Sequence, residues 1–451
     1  MELKNKKVLV FGSGKSGIGA TKLLLEIGAE PVIYDGNEKL DPLEIQKKVN
    51  APVQVILGEL PEEAAASLDL VIMSPGVPCD LPVVDLFRAH KLPIWGELEL
   101  AYRLGRGKVL AVTGTNGKTT TTSLLGAILG DYYPEVYVVG NIGNPYTDAC
   151  LKQTDQAYTV AEVSSFQLET IEKFHPIAST ITNITEDHLN RHHTMEEYIR
   201  VKELITKNQT PEDLCVLNYE DDVLRAFGEK AVPQVMYFSS LRALENGIYY
   251  QDGAIYLADH GKTEKVVDVA DLNLLGLHNF ENVMVAVAMA LHAGVPMEQI
   301  RKTICAFQGV EHRIEYVTEK NGVAYYNDSK GTNPDAAIKG IQAMNRPTLL
   351  IGGGYDKQST YEEWINSFDG KVKYLVLIGQ TREKIRTAAI SCGFPEERIR
   401  FCENLKEATD LCASLAENGD AVLLSPACAS WGQFDNYEQR GDMFKAFVHA
   451  L

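Results

Sequence analysis

Apolar residues in this chain cluster in short runs, each closed by a turn rich in glycine, serine, asparagine or acids. Lys7 to Phe11, Pro31 to Tyr34 and Asp69 to Met73 form one set. Residues 109–112, 136–139, 158–163 and 178–184 form a second, and 323–326, 347–351, 373–378 and 420–424 a third. Runs this short and this continuously apolar suit strands buried on both faces, and their alternation with helical stretches predicts parallel sheets. The expected class is α/β, with three modules in series over 1–93, 94–300 and 301–451. Pro93 to Gly96 reads as the exit from the first module, and 301–314 as the crossing into the third. Between 214 and 275 short strands alternate with Gly, Asp and Asn turns, which predicts a β-rich insertion or subdomain. Gly276 to Asn282 then opens a very apolar helix over 283–293.

Composition narrows the class. A chain of 451 residues is too long for one ordinary core. With 45% hydrophobic and 23% charged residues it has the make-up of a globular protein. A formal net charge of −18 argues against nonspecific binding to nucleic acid or to an anionic membrane. Any anionic substrate must therefore be held by local cations, backbone N–H groups or metal ions. The eight cysteines contain no C-x-x-C pair, which suggests reduced thiols rather than a disulfide framework. The first apolar run ends at Phe11, too short for a signal peptide, and Val283 to Met297 is too short and too interrupted to span a bilayer. A cytoplasmic protein is expected, without membrane insertion.

The chemistry gathers at strand ends. After Val109 to Val112 comes Thr113-Gly114-Thr115-Asn116-Gly117-Lys118-Thr119-Thr120. Glycines let backbone N–H groups close on phosphate oxygens, and the following helix adds its dipole. Lys118 can reach outer phosphates, and the Thr119 hydroxyl can ligate Mg²⁺. Val112 stands where the common phosphate loop has its first glycine, so this is a shorter form. A Gly turn between strand and helix that binds nothing is the bland alternative. Glu162, at the third strand's end, and His188, after the fourth, fall on the same edge and are plausible Mg²⁺ ligands. Asn141 opens a polar turn, 141–145, at the second.

A second glycine loop, Gly12-Ser13-Gly14-Lys15-Ser16-Gly17, follows Lys7 to Phe11, and Asp35 closes the next strand about 20 residues on. That is a dinucleotide fingerprint in its expected context, equally able to hold a mononucleotide diphosphate. Ser74 to Pro78, with Gly76, lies at another strand end. Thr194-Met195-Glu196-Glu197 has the capping-box pattern and predicts a helix from Met195. At about 100° per residue, Met195, Tyr198, Ile199, Val201 and Ile205 form one apolar arc. Lys202 falls inside that arc, whereas Lys207 falls on the polar side. Snorkelling and a buried lysine with an electrostatic task both fit. Asn279 and Asn282 lie i,i+3, so their amides can share a face and match an adenine edge, although Asn279 could instead be an N-cap. In the third module Asn327 to Pro334 and Gly352 to Lys357 follow strands, the latter reading as a substrate-carboxylate site. Ser430 has no obvious His–Asp partners for nucleophilic work, so binding is expected of it.

Taken together, GTNGKT, HNxxN, NDSKGTNP and SPACASWGQFDNYEQRG resemble the Mur ligases of bacterial cell-wall synthesis, over essentially the whole chain. The last run points to the D-glutamate-adding branch. The resemblance implies a Rossmann-like N-terminal domain that binds a UDP-linked substrate, a central P-loop ATPase-like parallel sheet and a C-terminal Rossmann-like α/β domain that binds the amino acid. It implies ATP, Mg²⁺, UDP-N-acetylmuramoyl-L-alanine and D-glutamate as ligands, and a monomer is expected. Carried over motif by motif, the ATP loop comprises Gly114, Thr115, Asn116, Gly117, Lys118, Thr119 and Thr120. Asn279 and Asn282 fall at the adenine, and Arg313, Asp328 and Lys330 contact ATP from the third domain. Thr119, Glu162, His188 and Lys202 (as a carbamate) fall at the metals. Ser16, Asp35, Gly76, Asn141 and His188 match the UDP-substrate site; Thr332, Lys357, Ser430, Trp431 and Tyr437 match the D-glutamate site. Lys118, Glu162, His188 and Lys202 are the implied catalytic group.

Three rival readings explain less. An NAD-dependent dehydrogenase accounts only for residues 8–35. A P-loop kinase or regulatory NTPase leaves the flanking modules idle. A non-catalytic nucleotide-binding module leaves the metal-ligand candidates unused.

Overall fold

The computed structural model describes residues 2–141 and 144–451, and every count below refers to these. Ile142 and Gly143, in the polar turn expected after the second central strand, lie outside them. The first sheet is β1 (Lys7–Phe11), β2 (Glu30–Asp35), β3 (Gln54–Leu57), β4 (Leu70–Met73) and β5 (Ile94–Gly96), in order β3-β2-β1-β4-β5. All its pairings are parallel. Ile94 to Gly96, expected as the exit, is thus the sheet's fifth strand. Its short apolar stretch pairs with Val71 to Met73 before the chain leaves.

The central sheet holds β6 (Lys108–Thr113), β7 (Val136–Gly140), β8 (Tyr158–Glu162), β9 (Ala178–Ile181), β10 (Leu214–Asn218), β11 (Gln234–Ser239), β12 (Gly247–Gln251), β13 (Ala254–Asp259) and β14 (Lys262–Asp268). Its order is β14-β13-β12-β11-β10-β9-β6-β8-β7. The β-rich stretch expected as an insertion therefore extends this sheet, with a helix at Asp222–Gly228 between β10 and β11. β11 joins β12 in parallel, and only then does the antiparallel β12/β13 hairpin follow. The third sheet is β15 (Glu315–Lys320), β16 (Val323–Asn327), β17 (Thr348–Gly352), β18 (Val372–Leu377), β19 (Ile399–Phe401) and β20 (Ala421–Leu424), ordered β15-β16-β20-β17-β18-β19. Only β15 runs antiparallel in it.

The chain divides into two compact units, one over Met1–Val266 and Asn282–Thr303, the other over Val267–Glu281 and Ile304–Leu451. Strand alternation explains why the first two sheets share a unit. Val8, Val10 and Ile72 point to one face, and there they join Leu98, Leu100, Val139 and Tyr146 in a single apolar cluster. Leu9, Phe11, Val71 and Met73 point the other way and pack with Phe87 in a separate core. In the second unit the two faces of the sheet likewise make two cores, one around Trp364 and Leu350, the other around Phe444 and Leu349. No helix among the described residues is long and apolar enough to cross a membrane.

Candidate active site

The loop between β6 and helix Lys118–Gly130 is held from behind. Thr115 N donates to Asn183 O at 2.9 Å and Asn116 N to Asn183 Oδ1 at 2.9 Å. Strand β9 stops at Ile181, earlier than its apolar run suggests, because Thr182 and Asn183 turn to serve this loop. Thr182 Oγ1 donates to Asn116 O at 2.5 Å. Two glycines are obligatory. Gly114 has φ +140°, and a Cβ there would stand 1.9 Å from Thr182 Oγ1. Gly117, with φ +84°, would put its Cβ 2.4 Å from Asn282 Oδ1. That same Asn282 oxygen accepts from the buried Thr121 hydroxyl at 3.1 Å. Lys118 Nζ donates to Gly114 O and Thr115 O at 2.9 and 2.8 Å, which fixes the ammonium at the loop's mouth. Thr119 is half-buried, while Thr120 is buried. The arrangement is a concave set of backbone dipoles with one cation, able to hold a polyphosphate.

Helix Met195–Glu203 begins where the capping pattern places it, with Thr194 Oγ1 accepting from Glu197 N at 3.2 Å. The reciprocal half of the box is absent, because the Glu197 carboxylate takes the Arg200 guanidinium. The helix ends before Lys207, whose exposed ammonium donates to Ile171 O. Lys202 is only 2% exposed, which rules out snorkelling. Its Nζ donates to Gly114 O at 2.8 Å, back into the phosphate loop. Burial first, then the neighbouring Lys118 charge, push its amine down to about 7. The amine is therefore readily neutral, and so nucleophilic.

Glu162 closes β8 and is buried. Its Oε1 accepts from Asn141 Nδ2 at 2.9 Å, and its Oε2 has no hydrogen-bond partner. An orphaned buried carboxylate oxygen suits a cation. His188 adopts a left-handed conformation (φ 54°) with its ring 48% exposed, 3.4 Å from Asp187 and against Phe166. No three His, Cys, Asp or Glu side chains among the described residues are grouped as a metal site. The donor set expected here has one carboxylate, one imidazole and a hydroxyl, so it needs a further anion, and Lys202 in its plain form is not one. With Lys202 as a carbamate, the residues fit Mg²⁺.

A cavity of about 460 Å³ joins these groups to the first domain. Lys118, Asn141, His188 and Lys202 line it, together with Lys15 and Ser16 from the first glycine loop and Pro75 from the β4 turn. Asn141, Ser16 and His188 thus line one cavity. Asp35 lies behind the loop, and its Oδ2 takes Ser13 N at 3.0 Å and Ser13 Oγ at 2.6 Å. It therefore shapes the glycine turn, a role that the spacing rule does not foresee. Gly76 is exposed beside Pro75, with open space where a side chain would stand. Glu97 and Gln167 also line the cavity. Sequence reasoning passes over both, since an acid opening a helix reads as dipole compensation.

In the second unit Asn279 lies inside helix Leu277–His292, which starts earlier than its apolar run, so Asn279 is no N-cap; its Nδ2 donates to Leu275 O at 2.7 Å. Asp328 is buried after β16, accepting from Ser425 Oγ at 2.7 Å, and burial pushes its carboxyl up to about 7. Arg313 is half-buried nearby and opposes that shift. Lys330 Nζ stands over the Tyr437 ring and Lys357 Nζ over Trp431, at 5.7 and 4.8 Å. Thr332 is half-buried and Ser430 buried, while Trp431 is 53% exposed and contacts Tyr355. The structure therefore pairs Lys330 with Tyr437 and Lys357 with Trp431. Arg440 receives no role from sequence, because an arginine in a polar run reads as surface. It is fully buried and donates to Ser329 Oγ, Ser329 O and Cys428 O, tying the loops after β16 and β20 together.

Comparison with known proteins gives a consistent result. Three domain families match in chain order: the Mur ligase MurD-like N-terminal domain over 6–96, the Mur ligase middle domain over 112–290 and the Mur ligase glutamate ligase domain over 312–428. UDP-N-acetylmuramoylalanine--D-glutamate ligase of Lachnoclostridium phytofermentans is 54% identical, covering 100% of this chain and 99% of its own length. The enzyme of the same name from Clostridioides difficile is 44% identical, with 100% of both chains covered. Among solved structures, UDP-N-acetylmuramate-alanine ligase of Thermotoga maritima superposes with TM-score 0.60 at 19% identity over 99% of both chains. MurF ligase of the same organism, in complex with ADP, does so with TM-score 0.57 at 17% identity, covering 100% of this chain and 96% of its own. These two show the shared fold.

Proposed function

The chain belongs to the Mur ligase family, and from that premise we propose that it is an ATP-dependent ligase joining D-glutamate to UDP-N-acetylmuramoyl-L-alanine in peptidoglycan precursor synthesis. ATP phosphorylates the terminal carboxylate of the UDP-linked substrate, giving an acyl phosphate and ADP. The amine of D-glutamate attacks the acyl carbon, and the tetrahedral intermediate expels phosphate to leave an amide. Little covalent work falls to the protein, so positioning and charge neutralisation dominate. The observation that carries the reading is the cavity in which Lys118, His188 and the buried Lys202 meet Ser16 and Asn141.

The roles are those that the family motifs carry over. Lys118 and the N–H groups of Gly114 to Thr120 hold the ATP phosphates; Asn279 and Asn282 serve the adenine side, and Arg313, Asp328 and Lys330 reach ATP from residues 301–451. Ser16, Asp35, Gly76, Asn141 and His188 serve the UDP-linked substrate, between residues 1–93 and 94–300. Thr332, Lys357, Ser430, Trp431 and Tyr437 hold D-glutamate, with Lys357 as a carboxylate partner. Thr119, Glu162, His188 and a carbamylated Lys202 would hold Mg²⁺, which supplies neutralisation of phosphate charge when bound. The orphaned Glu162 Oε2 supports that assignment. A Lys202 amine pushed down to about 7 supports the modification, since its neutral form adds to CO₂ with release of a proton and becomes a liganding anion. The enzyme works as a monomer in the cytoplasm.

A coupled phosphate-release assay tests the reading. Release should require ATP, UDP-N-acetylmuramoyl-L-alanine and D-glutamate together, and other amino acids should replace D-glutamate poorly. Turnover without the UDP-linked substrate, or a change in NADH absorbance instead, would overturn it.

A further inference from the structure

Glu97 is the first residue of helix Glu97–Leu104, directly after β5, and its side chain is buried on the wall of the 460 Å³ cavity. One carboxyl oxygen is accounted for. Gln167 Oε1 accepts from Ser164 N at 2.9 Å and Ser164 Oγ at 3.0 Å, which turns the Gln167 NH₂ the other way. That NH₂ donates to Glu97 Oε1 at 2.9 Å. Glu97 Oε2 has no hydrogen-bond partner. Gly96, just before it, packs closely on Thr170: its N–H donates to Thr170 O at 3.2 Å, and a Cβ there would lie 2.3 Å from Thr170 Oγ1. A buried polar atom without a partner is costly, and such atoms persist where a ligand completes them.

The position says which ligand. Glu97 lies on the cavity wall with Ser16 of the first glycine loop, Lys118 of the phosphate loop and Lys202 of helix Met195–Glu203. A UDP-linked acid whose carboxylate reaches the second loop from the first must cross that cavity. We propose that Glu97 Oε2 hydrogen-bonds the muramoyl–alanyl arm of the UDP-linked substrate, and so is a binding and specificity residue for that arm; the inference rests on the ligase reading above. Burial raises the Glu97 carboxyl above the usual carboxylate range, which suits Oε2 as a hydroxyl donor to an oxygen of the arm.

Three proteins decide it: wild type, Glu97→Leu and Glu97→Gln. Each is assayed for phosphate release, for binding of UDP and of UDP-N-acetylmuramoyl-L-alanine by calorimetry, and for thermal midpoint without ligand. Glu97→Leu should weaken the full substrate about tenfold or more, as loss of one buried hydrogen bond does. UDP affinity and the KM for ATP should stay within about twofold. Its unliganded midpoint should fall by only a few degrees, because the Gln167 NH₂ loses its acceptor while the orphaned oxygen is removed with it. Glu97→Gln keeps a donor at Oε2 and should stay within about threefold of wild type. Equal losses for UDP and the full substrate, an unchanged KM in Glu97→Leu, or a collapse of the midpoint in both variants would overturn the inference while wild-type turnover leaves the ligase reading standing. A wild type that turns over neither substrate would remove both.

Discussion

The contact between Asn282 and the phosphate loop permits a quantitative test of how that loop is held. Asn282→Ala deprives the Thr121 hydroxyl of its acceptor at 3.1 Å, in a place where Thr121 has no access to water. A buried donor left unpaired costs roughly 1–3 kcal/mol. If the cost falls on the ATP-holding form of the loop, kcat/KM for ATP drops by a factor of about 5 to 150. Thr121→Val removes the donor itself, so the double variant should recover part of the loss, with a coupling of about 0.5–1.5 kcal/mol. Gly117→Ala attacks the same point from the other side. It places a Cβ 2.4 Å from Asn282 Oδ1 at φ +84°, which adds roughly 1–2 kcal/mol of backbone strain. The assay is phosphate release with ATP and with GTP, alongside thermal midpoints to separate folding from function. An amide that works through the loop lowers both nucleotides alike. Additivity of Asn282→Ala and Thr121→Val within about 0.5 kcal/mol, with a changed ATP-to-GTP ratio, would refute the loop-holding reasoning and leave Asn282 as a reader of the base alone.

Other outcomes follow from single groups. Lys202→Ala should abolish turnover and be partly rescued by acetate, which replaces the missing carboxylate; full activity without a supplement would end the carbamate assignment. Glu99 is fully buried and accepts from the backbone N–H groups of Glu172, Lys173 and Phe174 at 2.9, 2.8 and 2.9 Å, and from Arg103 Nε at 2.6 Å. Glu99→Ala should therefore cost roughly 3–5 kcal/mol in urea unfolding, and a loss below about 1 kcal/mol would contradict these contacts. Asp328 titrates at about 7 in the folded protein against an ordinary 3.8, so it binds its proton more tightly when folded. Its contribution to stability is complete below about pH 4 and is lost as pH rises through about 7, a difference on the order of 4 kcal/mol. Asp328→Asn removes that dependence, so in pH-resolved melts the variant should gain on wild type between pH 5 and pH 8.

Much of this molecule is legible in its sequence, and the reason is local. Strands buried on both faces must be apolar throughout, so β1, β6, β8, β17 and β20 announce themselves. Loops that cradle phosphate need glycine where φ is positive, so Gly114 and Gly117 are readable before any fold is known. Thr194 caps its helix because its hydroxyl reaches an N–H only three residues away. Lys202 could be singled out from periodicity alone, as a cation on an apolar arc.

What the tertiary structure alone decided concerns partners distant in the chain. Periodicity could not say whether Lys202 escapes to water, because the answer is Gly114 O, supplied by another strand's loop. Ile94 to Gly96 reads as a linker until it pairs with β4, and the stretch after 214 reads as an insertion until it extends a sheet edge already laid down by β9. Arg440 looks like a surface residue until Ser329 and Cys428 close around it. Glu97 looks like ordinary helix-start acid until Gln167 takes one of its oxygens and leaves the other on the cavity wall. Hydrophobic pattern and turn chemistry are encoded residue by residue. Burial, pairing and orphaned polar atoms arise only when distant segments meet, and the first glycine loop, the phosphate loop and His188 come to line one cavity by the same route.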